Sequence, residues 1–243
     1  MASLASDSFG MKYRFLGGSG LLVSTFGYGC AMFQRDDQLF LGTKEGPNAV
    51  GLSRKHLVEG IKASLQRLAV DYVDVLFCHR PEKYTPIEEI SFYWATSEWS
   101  ASDLLEACAI ADRLGLIRPI VEQPQYNILH RSKVEVDYQT LYEKYKLGLT
   151  SFSPMANGIL TGKYSQGVPA DSRFADPAIL ALISLDQEAI LKTETLRPIA
   201  AELGCTLGQL AIAWCASNTN VSTVLLGAKT LKQLDENLQA WPL

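Results

Sequence analysis

Ser151-Phe-Ser-Pro-Met-Ala-Asn-Gly-Ile-Leu-Thr-Gly-Lys-Tyr164 is the stretch on which the reading of the fold turns. The run Leu149–Ser153 predicts a strand that stops at Ser153-Pro154. Such a strand delivers its next residues to a strand end, where parallel α/β folds bind their ligands. The loop that follows carries Gly158, Gly162 and Lys163. Glycines let backbone approach a ligand closely, and a lysine pairs with phosphate. A second cluster stands near the end of the chain, in Leu226-Gly-Ala-Lys-Thr-Leu-Lys-Gln-Leu-Asp-Glu-Asn237. There a strand runs into a glycine turn and a helix N-terminus, whose orphan N–H groups and dipole favour an anion. Lys229 and Gln233 lie at that helix entrance, and Arg173 reaches in from the loop after Lys163. As a solvated helix face the second cluster is unremarkable. Paired with the first, it reads as a clamp for the phosphates of a dinucleotide.

The rest of the chain supplies the frame. Met11–Phe15 and Leu22–Phe26 flank Gly-Gly-Ser-Gly and predict a β-hairpin. Strands are expected at Thr25–Ala31, Tyr72–Cys78, Ser91–Ser97, Pro119–Gln123 and Ser222–Leu226. Helices are expected at His56–Leu68, Ala101–Leu114, Val134–Tyr145, Glu188–Leu203 (kinked or divided at Pro198), Leu207–Ala216 and Leu231–Gln239. Alternating β and α units imply a parallel sheet, and the length suits a (β/α)8 TIM barrel. Residues 11–243 are read as one barrel domain behind a tail of residues 1–10. A doubly wound sheet is the alternative, but no Gly-x-Gly-x-x-Gly follows any predicted strand.

Composition narrows the function classes. With a formal charge of -4 and 47% hydrophobic residues the chain is not a general nucleic-acid binder. No apolar run approaches the roughly 20 residues that span a bilayer, so no membrane insertion is expected. The N-terminus lacks the basic flank and apolar core of a signal peptide. The five cysteines (Cys30, Cys78, Cys108, Cys205, Cys215) are scattered and form no Cys-x-x-Cys pair. No metal site is expected, and a reducing, cytoplasmic location follows.

Candidate chemistry gathers at strand ends. His79 ends one strand, where it can donate a hydrogen bond to a substrate oxygen or help move a proton. Ser97 ends the next and Gln123 the one after. A glutamine amide grips a carboxamide in both senses. Each residue taken alone reads equally well as a side chain that satisfies its own loop.

At these residues the chain resembles the aldo-keto reductases, and within them the branch of the beta subunits of voltage-gated potassium channels. The segments that carry the resemblance are Met11-Lys-Tyr-Arg-Phe-Leu-Gly-Gly-Ser-Gly-Leu-Leu-Val-Ser24, Gly51-Leu-Ser-Arg-Lys-His56, Asp71-Tyr-Val-Asp-Val-Leu-Phe-Cys-His-Arg-Pro81, Phe92-Tyr-Trp-Ala-Thr-Ser-Glu-Trp-Ser100, residues 153–164, Gly204-Cys-Thr-Leu-Gly-Gln-Leu-Ala211 and residues 224–237. The resemblance implies a barrel that binds NADPH without a Rossmann motif and reduces an aldehyde or ketone. It also implies an alternative, an NADPH-binding regulatory subunit on a channel's cytosolic domain, and assembly as a homotetramer.

Carried over by position, Ser97 and Gln123 hold the nicotinamide carboxamide and Phe152 stacks on the ring. Ser153, Pro154, Met155, Ala156 and Asn157 line the pyrophosphate path. Lys163, Ser172, Arg173 and Gln233 read the 2′-phosphate side, with Glu236 and Asn237 at the adenine. Gly227 allows close approach, and Lys229 replaces a small polar residue. Of the family's catalytic Asp, Tyr, Lys and His, the resemblance places the last at His79. Thr43-Lys44 resembles the strand end that carries the lysine, although its spacing to Gly51 fits a later loop. The Asp-x-Ala-x-x-Tyr motif is absent, and without its tyrosine no residue is assigned to protonate the alkoxide.

The rhythm breaks near Gln34–Gln38 and near Glu89–Ser91. A barrel needs a helix, a strand and another helix at the first place and a helix at the second. A barrel without them exposes a wide edge. The expectation is a chain discontinuous at both places, with barrel segments of the whole protein missing from this sequence and an early C-terminus.

Overall fold

The structure, a computed structural model, describes residues 11–29, 54–79 and 94–240. Both expected breaks, Lys44 and Cys30 lie outside those residues.

The hairpin pairs β1 (Tyr13–Phe15) with β2 (Leu22–Ser24), antiparallel, with Tyr13 opposite Ser24. Then come β3 (Phe26–Tyr28), α1 (Arg54–Leu68), β4 (Leu76–His79), β5 (Trp94–Ser97), α2 (Ala101–Leu114), β6 (Val121–Gln123), α3 (Gln139–Tyr145) and β7 (Gly148–Ser151). The chain continues through α4 (Pro177–Leu182), α5 (Gln187–Glu194), α6 (Arg197–Glu202), α7 (Leu207–Ser217), β8 (Val221–Leu226) and α8 (Leu231–Leu238).

Six strands form one all-parallel sheet in the order β3-β8-β7-β6-β5-β4. From β4 to β8 each strand neighbours the next in the chain, and β8 returns to β3. A last strand that closes on the first is barrel order. Strands β3 and β4 hold the two edges, and among the described residues each pairs with one neighbour. The fold is therefore α/β, an incomplete (β/α)8 barrel with an N-terminal hairpin.

Alternation along the strands sorts side chains into two layers. Ala95 and Val121 are buried against Leu16 of the hairpin, with Phe77 and Val75 beside them; this is the inward face. Cys78, Trp94, Leu149, Val224 and Leu226 pack outward against Trp99, Leu104, Tyr138, Leu141 and Ile212 of the helical layer. The hairpin seats on the N-terminal floor of the sheet by close approach. Gly17 has φ +58, and a Cβ there would fall 2.4 Å from the Gly148 backbone nitrogen. A Cβ on Gly148 would fall 2.2 Å from the Gly17 nitrogen, so neither position tolerates a side chain. Arg14 completes the floor. Its guanidinium donates to the carbonyls of Ala216 (2.8 Å) and Asn218 (3.4 Å) at the C-terminal end of α7 and of Val221 (2.6 Å) at the start of β8.

Helix ends follow local chemistry. Ser100 and Asp103 form a capping box that starts α2, and Thr206 and Gln209 form another that starts α7. Several elements differ from expectation. Strand β4 covers Leu76–His79, shorter than the Tyr72–Cys78 run. Leu76 pairs with Trp94 of β5, and Tyr72, in the part of the run that lies before β4, is 72% exposed. The helix expected over Val134–Tyr145 is a π turn at Lys133–Asp137 followed by α3. Pro198 divides the Glu188–Leu203 run into α5 and α6 because a proline is tolerated only in a helix's first turn. Helix α4 carried no expectation at all.

Candidate functional site

His79, Ser97 and Gln123 end three neighbouring strands. Register places His79 opposite Ser97 and Ser97 opposite Gln123. Each lies two residues beyond an inward residue (Phe77, Ala95, Val121), so all three belong to the inward face at the C-terminal mouth. His79 is exposed, Ser97 is buried and Gln123 is half-buried. The Ser97 hydroxyl donates to the Gln123 carbonyl at 3.0 Å. Past the next strand end, half-buried Phe152 bridges Gln125 in parallel fashion, donating its N–H to Pro124 (3.1 Å). Four sequence-predicted residues thus line one mouth.

Beyond Phe152 the backbone is strained. Ser153 (φ +56), Ala156 (φ +47) and Asn157 (φ +57) hold left-handed conformations, followed by Gly158 at +94. Non-glycine residues avoid this region at a cost of about 1–2 kcal/mol each. Local bonds hold the loop. Asn127 Nδ2 donates to the Ser153 carbonyl (3.0 Å), and the Asn157 N–H donates to Ser153 Oγ (3.3 Å). Pro154 is buried and Met155 half-buried. Successive N–H groups in such turns form a concavity that suits an anion.

The loop faces two cations. Arg173 Nη1 donates to Asn157 Oδ1 at 2.6 Å. Lys163 Nζ sits 5.1 Å from the Tyr164 ring centre, and a Cβ on Gly158 would lie 2.8 Å from Lys163 Cε. Beside them, the Tyr164 hydroxyl and Ser172 Oγ are buried with no hydrogen-bond partner among the described residues. Two cations, two unpartnered buried hydroxyls and a cradle that a Cβ would fill suit a phosphorylated ligand.

The second cluster stands where expected, past β8, with its groups engaged. The Lys229 N–H donates to Gln233 Oε1 (2.7 Å), and Thr230 Oγ1 accepts from the Gln233 N–H to cap α8. Asn237 is buried and gives its amide to the Gly227 carbonyl (3.2 Å), fixing the turn. The Glu236 side chain is exposed while its carbonyl accepts from Gln209 (3.1 Å). The Tyr28 hydroxyl ties β3 to this turn through the Ala228 carbonyl (2.9 Å). Lys44 lies outside the described residues.

Sequence reasoning missed the outer support of the mouth. Glu122 is fully buried, and Oε1 accepts from the Trp99 N–H (3.1 Å) while Oε2 has no partner among the described residues. Burial pushes its carboxyl up to about 7, against the Trp99 N–H, which favours the charged form. Glu98, at φ +62, accepts from the Gln125 N–H (2.8 Å) and pairs with Lys133 (3.6 Å). A glutamate inside the buried strand Val121-Glu122-Gln123 is the signal that would have found the first. Cys78, next to His79, is no nucleophile, because burial raises its thiol to about 12.

Among the described residues no His, Cys, Asp and Glu side chains gather as a metal site. No single helix among them is long and apolar enough to cross a membrane; α5–α6 and α7 together reach the length, bent by 86°.

Comparison with known proteins gives the site its context. The family model described as "Aldo/keto reductase family" matches residues 24–243. A protein of Oryza sativa subsp. japonica named "Probable voltage-gated potassium channel subunit beta" is 53% identical over 218 residues, covering 84% of this chain and 66% of that protein. One of the same name from Arabidopsis thaliana is 55% identical over 210 residues, covering 80% of this chain and 64% of that protein. The chain thus spans about two thirds of the length of the curated relatives it matches. With the match running from Ser24 to the last residue and relatives more than half identical, the chain belongs to the aldo/keto reductase family.

Proposed function

We propose that the chain binds NADPH at the mouth of its sheet and reduces an aldehyde or ketone. The observation that carries this reading is the inward layer His79–Ser97–Gln123, which leads through Phe152 into a strained loop facing Lys163 and Arg173. Ser97 and Gln123 hold the nicotinamide carboxamide, and Phe152 stacks on the ring. The 153–157 backbone follows the pyrophosphate. Lys163, Ser172, Arg173 and Gln233 take the 2′-phosphate side, and the unpartnered Ser172 hydroxyl finds its acceptor there. Glu236 and Asn237 border the adenine, Gly227 allows close approach, and Lys229 stands in place of a small polar residue.

Bound there, NADPH supplies a hydride to a carbonyl carbon. His79 meets the carbonyl oxygen at the mouth, orients it by hydrogen bond and can hold the proton that the oxygen takes up. Lys44 is the second catalytic candidate. Fluorescence titration of the purified chain with NADPH, followed by turnover of a reporter aldehyde, tests the reading. Saturable binding that prefers NADPH to NADH supports it, and absence of binding overturns it.

The relatives' names favour a second reading, in which the chain is an NADPH-binding regulatory subunit docked on the cytosolic part of a potassium channel. Tight NADPH binding without turnover, together with capture by a channel's cytosolic domain, decides for it. Homotetramer formation and cytoplasmic location belong to both readings; light scattering and cell fractionation test them.

A further inference from the structure

We propose that Glu98 and Glu122 are positioning residues, a reciprocal brace between neighbouring strand ends that fixes Ser97 against Gln123. The inference rests on the cofactor reading above and assigns to these two carboxyls a role in holding the nicotinamide end.

The brace crosses itself. From β6, Glu122 reaches the N–H of Trp99, two residues past Ser97, at 3.1 Å. From the end of β5, Glu98 reaches the N–H of Gln125, two residues past Gln123, at 2.8 Å. Between these two bonds lies the pair they would fix. The Ser97 hydroxyl donates to the Gln123 carbonyl at 3.0 Å, and the Glu98 N–H donates to the same oxygen at 3.3 Å. Trp99 extends the brace to a third strand. Its indole N–H donates to the Cys78 carbonyl (3.0 Å), one residue before His79, and its own carbonyl accepts from the Tyr138 hydroxyl (2.6 Å).

Two features set this apart from ordinary core packing. Glu98 holds φ +62, a conformation that persists in a non-glycine residue only where its surroundings over-determine it. Glu122 is fully buried beside Trp99 and Tyr138, whose hydroxyl also reaches Oε1 (3.4 Å), and burying a carboxyl there is costly unless it is hydrogen-bonded. The Trp99 N–H is buried in turn, and Glu122 is its acceptor.

The experiment uses the whole chain and two probes. NADPH reads both ends of the site, and 2′,5′-ADP reads the phosphate end alone. E122M and E98A remove an acceptor and leave a backbone N–H unpaired, and each is expected to weaken NADPH about tenfold or more while 2′,5′-ADP binds as in wild type. E122Q and E98Q keep an acceptor oxygen and restore NADPH binding to within about twofold, the margin of a conserved hydrogen bond. Amide exchange at Trp99 and Gln125 is expected to quicken in E122M and E98A and to stay slow in the glutamine variants. Equal loss of both probes, unchanged NADPH binding, or glutamine variants as impaired as the others would overturn the brace. If E122M does not fold, half-exposed E98A decides alone. A wild-type chain that binds neither probe overturns the cofactor reading instead, and the exchange rates still report whether the brace exists.

Discussion

At the floor of the sheet, Gly17 and Gly148 meet backbone to backbone and Arg14 donates to three carbonyls. At the mouth, Ser153, Ala156 and Asn157 hold left-handed conformations, and Tyr164 and Ser172 keep buried hydroxyls without partners among the described residues. One end is saturated with its own contacts. The other gathers several left-handed residues beside unmet hydrogen-bonding capacity, where the floor has Lys146 (φ +54) next to its saturated contacts. In a barrel this division separates residues that keep the fold from residues that meet a ligand. The two ends should therefore answer substitution differently.

The sharpest break in that comparison is Gly148→Val on the floor. With no room for a Cβ, it should cost about 4 kcal/mol or more and leave little folded chain, as read by urea denaturation. Recovery of a stable variant would show that the hairpin does not need its close seat. Next in size is the pH response of Glu122. Its carboxyl titrates near 4.5 when unfolded and near 7 when folded. The stability allowed by the neutral form is fully present below about pH 4.5 and is lost as pH rises through about 7. Relative to E122Q, the wild type should lose up to about 3 kcal/mol between pH 4.5 and pH 8. Parallel stability curves for the two proteins would sink the assignment.

Arg173→Ala probes the mouth from the other side. It should weaken NADPH by roughly one to two orders of magnitude through loss of a charge-assisted contact, with NADH nearly unaffected and thermal stability close to wild type. An equal loss for both dinucleotides would remove Arg173 from the 2′-phosphate. The smallest effect belongs to Arg14→Met, about 1–2 kcal/mol for the carbonyls it leaves unpaired. Calorimetry should show the loss while NADPH affinity stays unchanged. A drop in affinity would mean that floor and mouth are coupled.

Periodicity and turn chemistry made most of the frame legible. The hairpin, the helix after Ser100 and the strand into Gly227 lie close to expectation, because caps and glycine turns are local signals. Tyr72–Val75 lie outside β4, because an apolar, β-branched run signals strand propensity but not where the strand begins. In the site, Ser97 and Gln123 were legible as strand ends, while Phe152 was singled out only through the family resemblance. Glu98 and Glu122 were not, because their role lies in hydrogen bonds across neighbouring strands. Asn237 lies in α8 and its amide holds the Gly227 carbonyl, a tertiary contact that composition does not signal.

The floor also sets an order in time. Arg14 is bonded to carbonyls 202 to 207 residues away, and Gly17 donates its N–H to Ser222 Oγ, 205 residues on. A ribosome adding roughly 5–20 residues per second makes the partners of Arg14 about 10–40 seconds after Arg14 itself. Through that interval the hairpin has neither α7 nor β8 to dock on. The hairpin strands are thus made long before the elements that seat them, and their docking belongs to the last steps of folding.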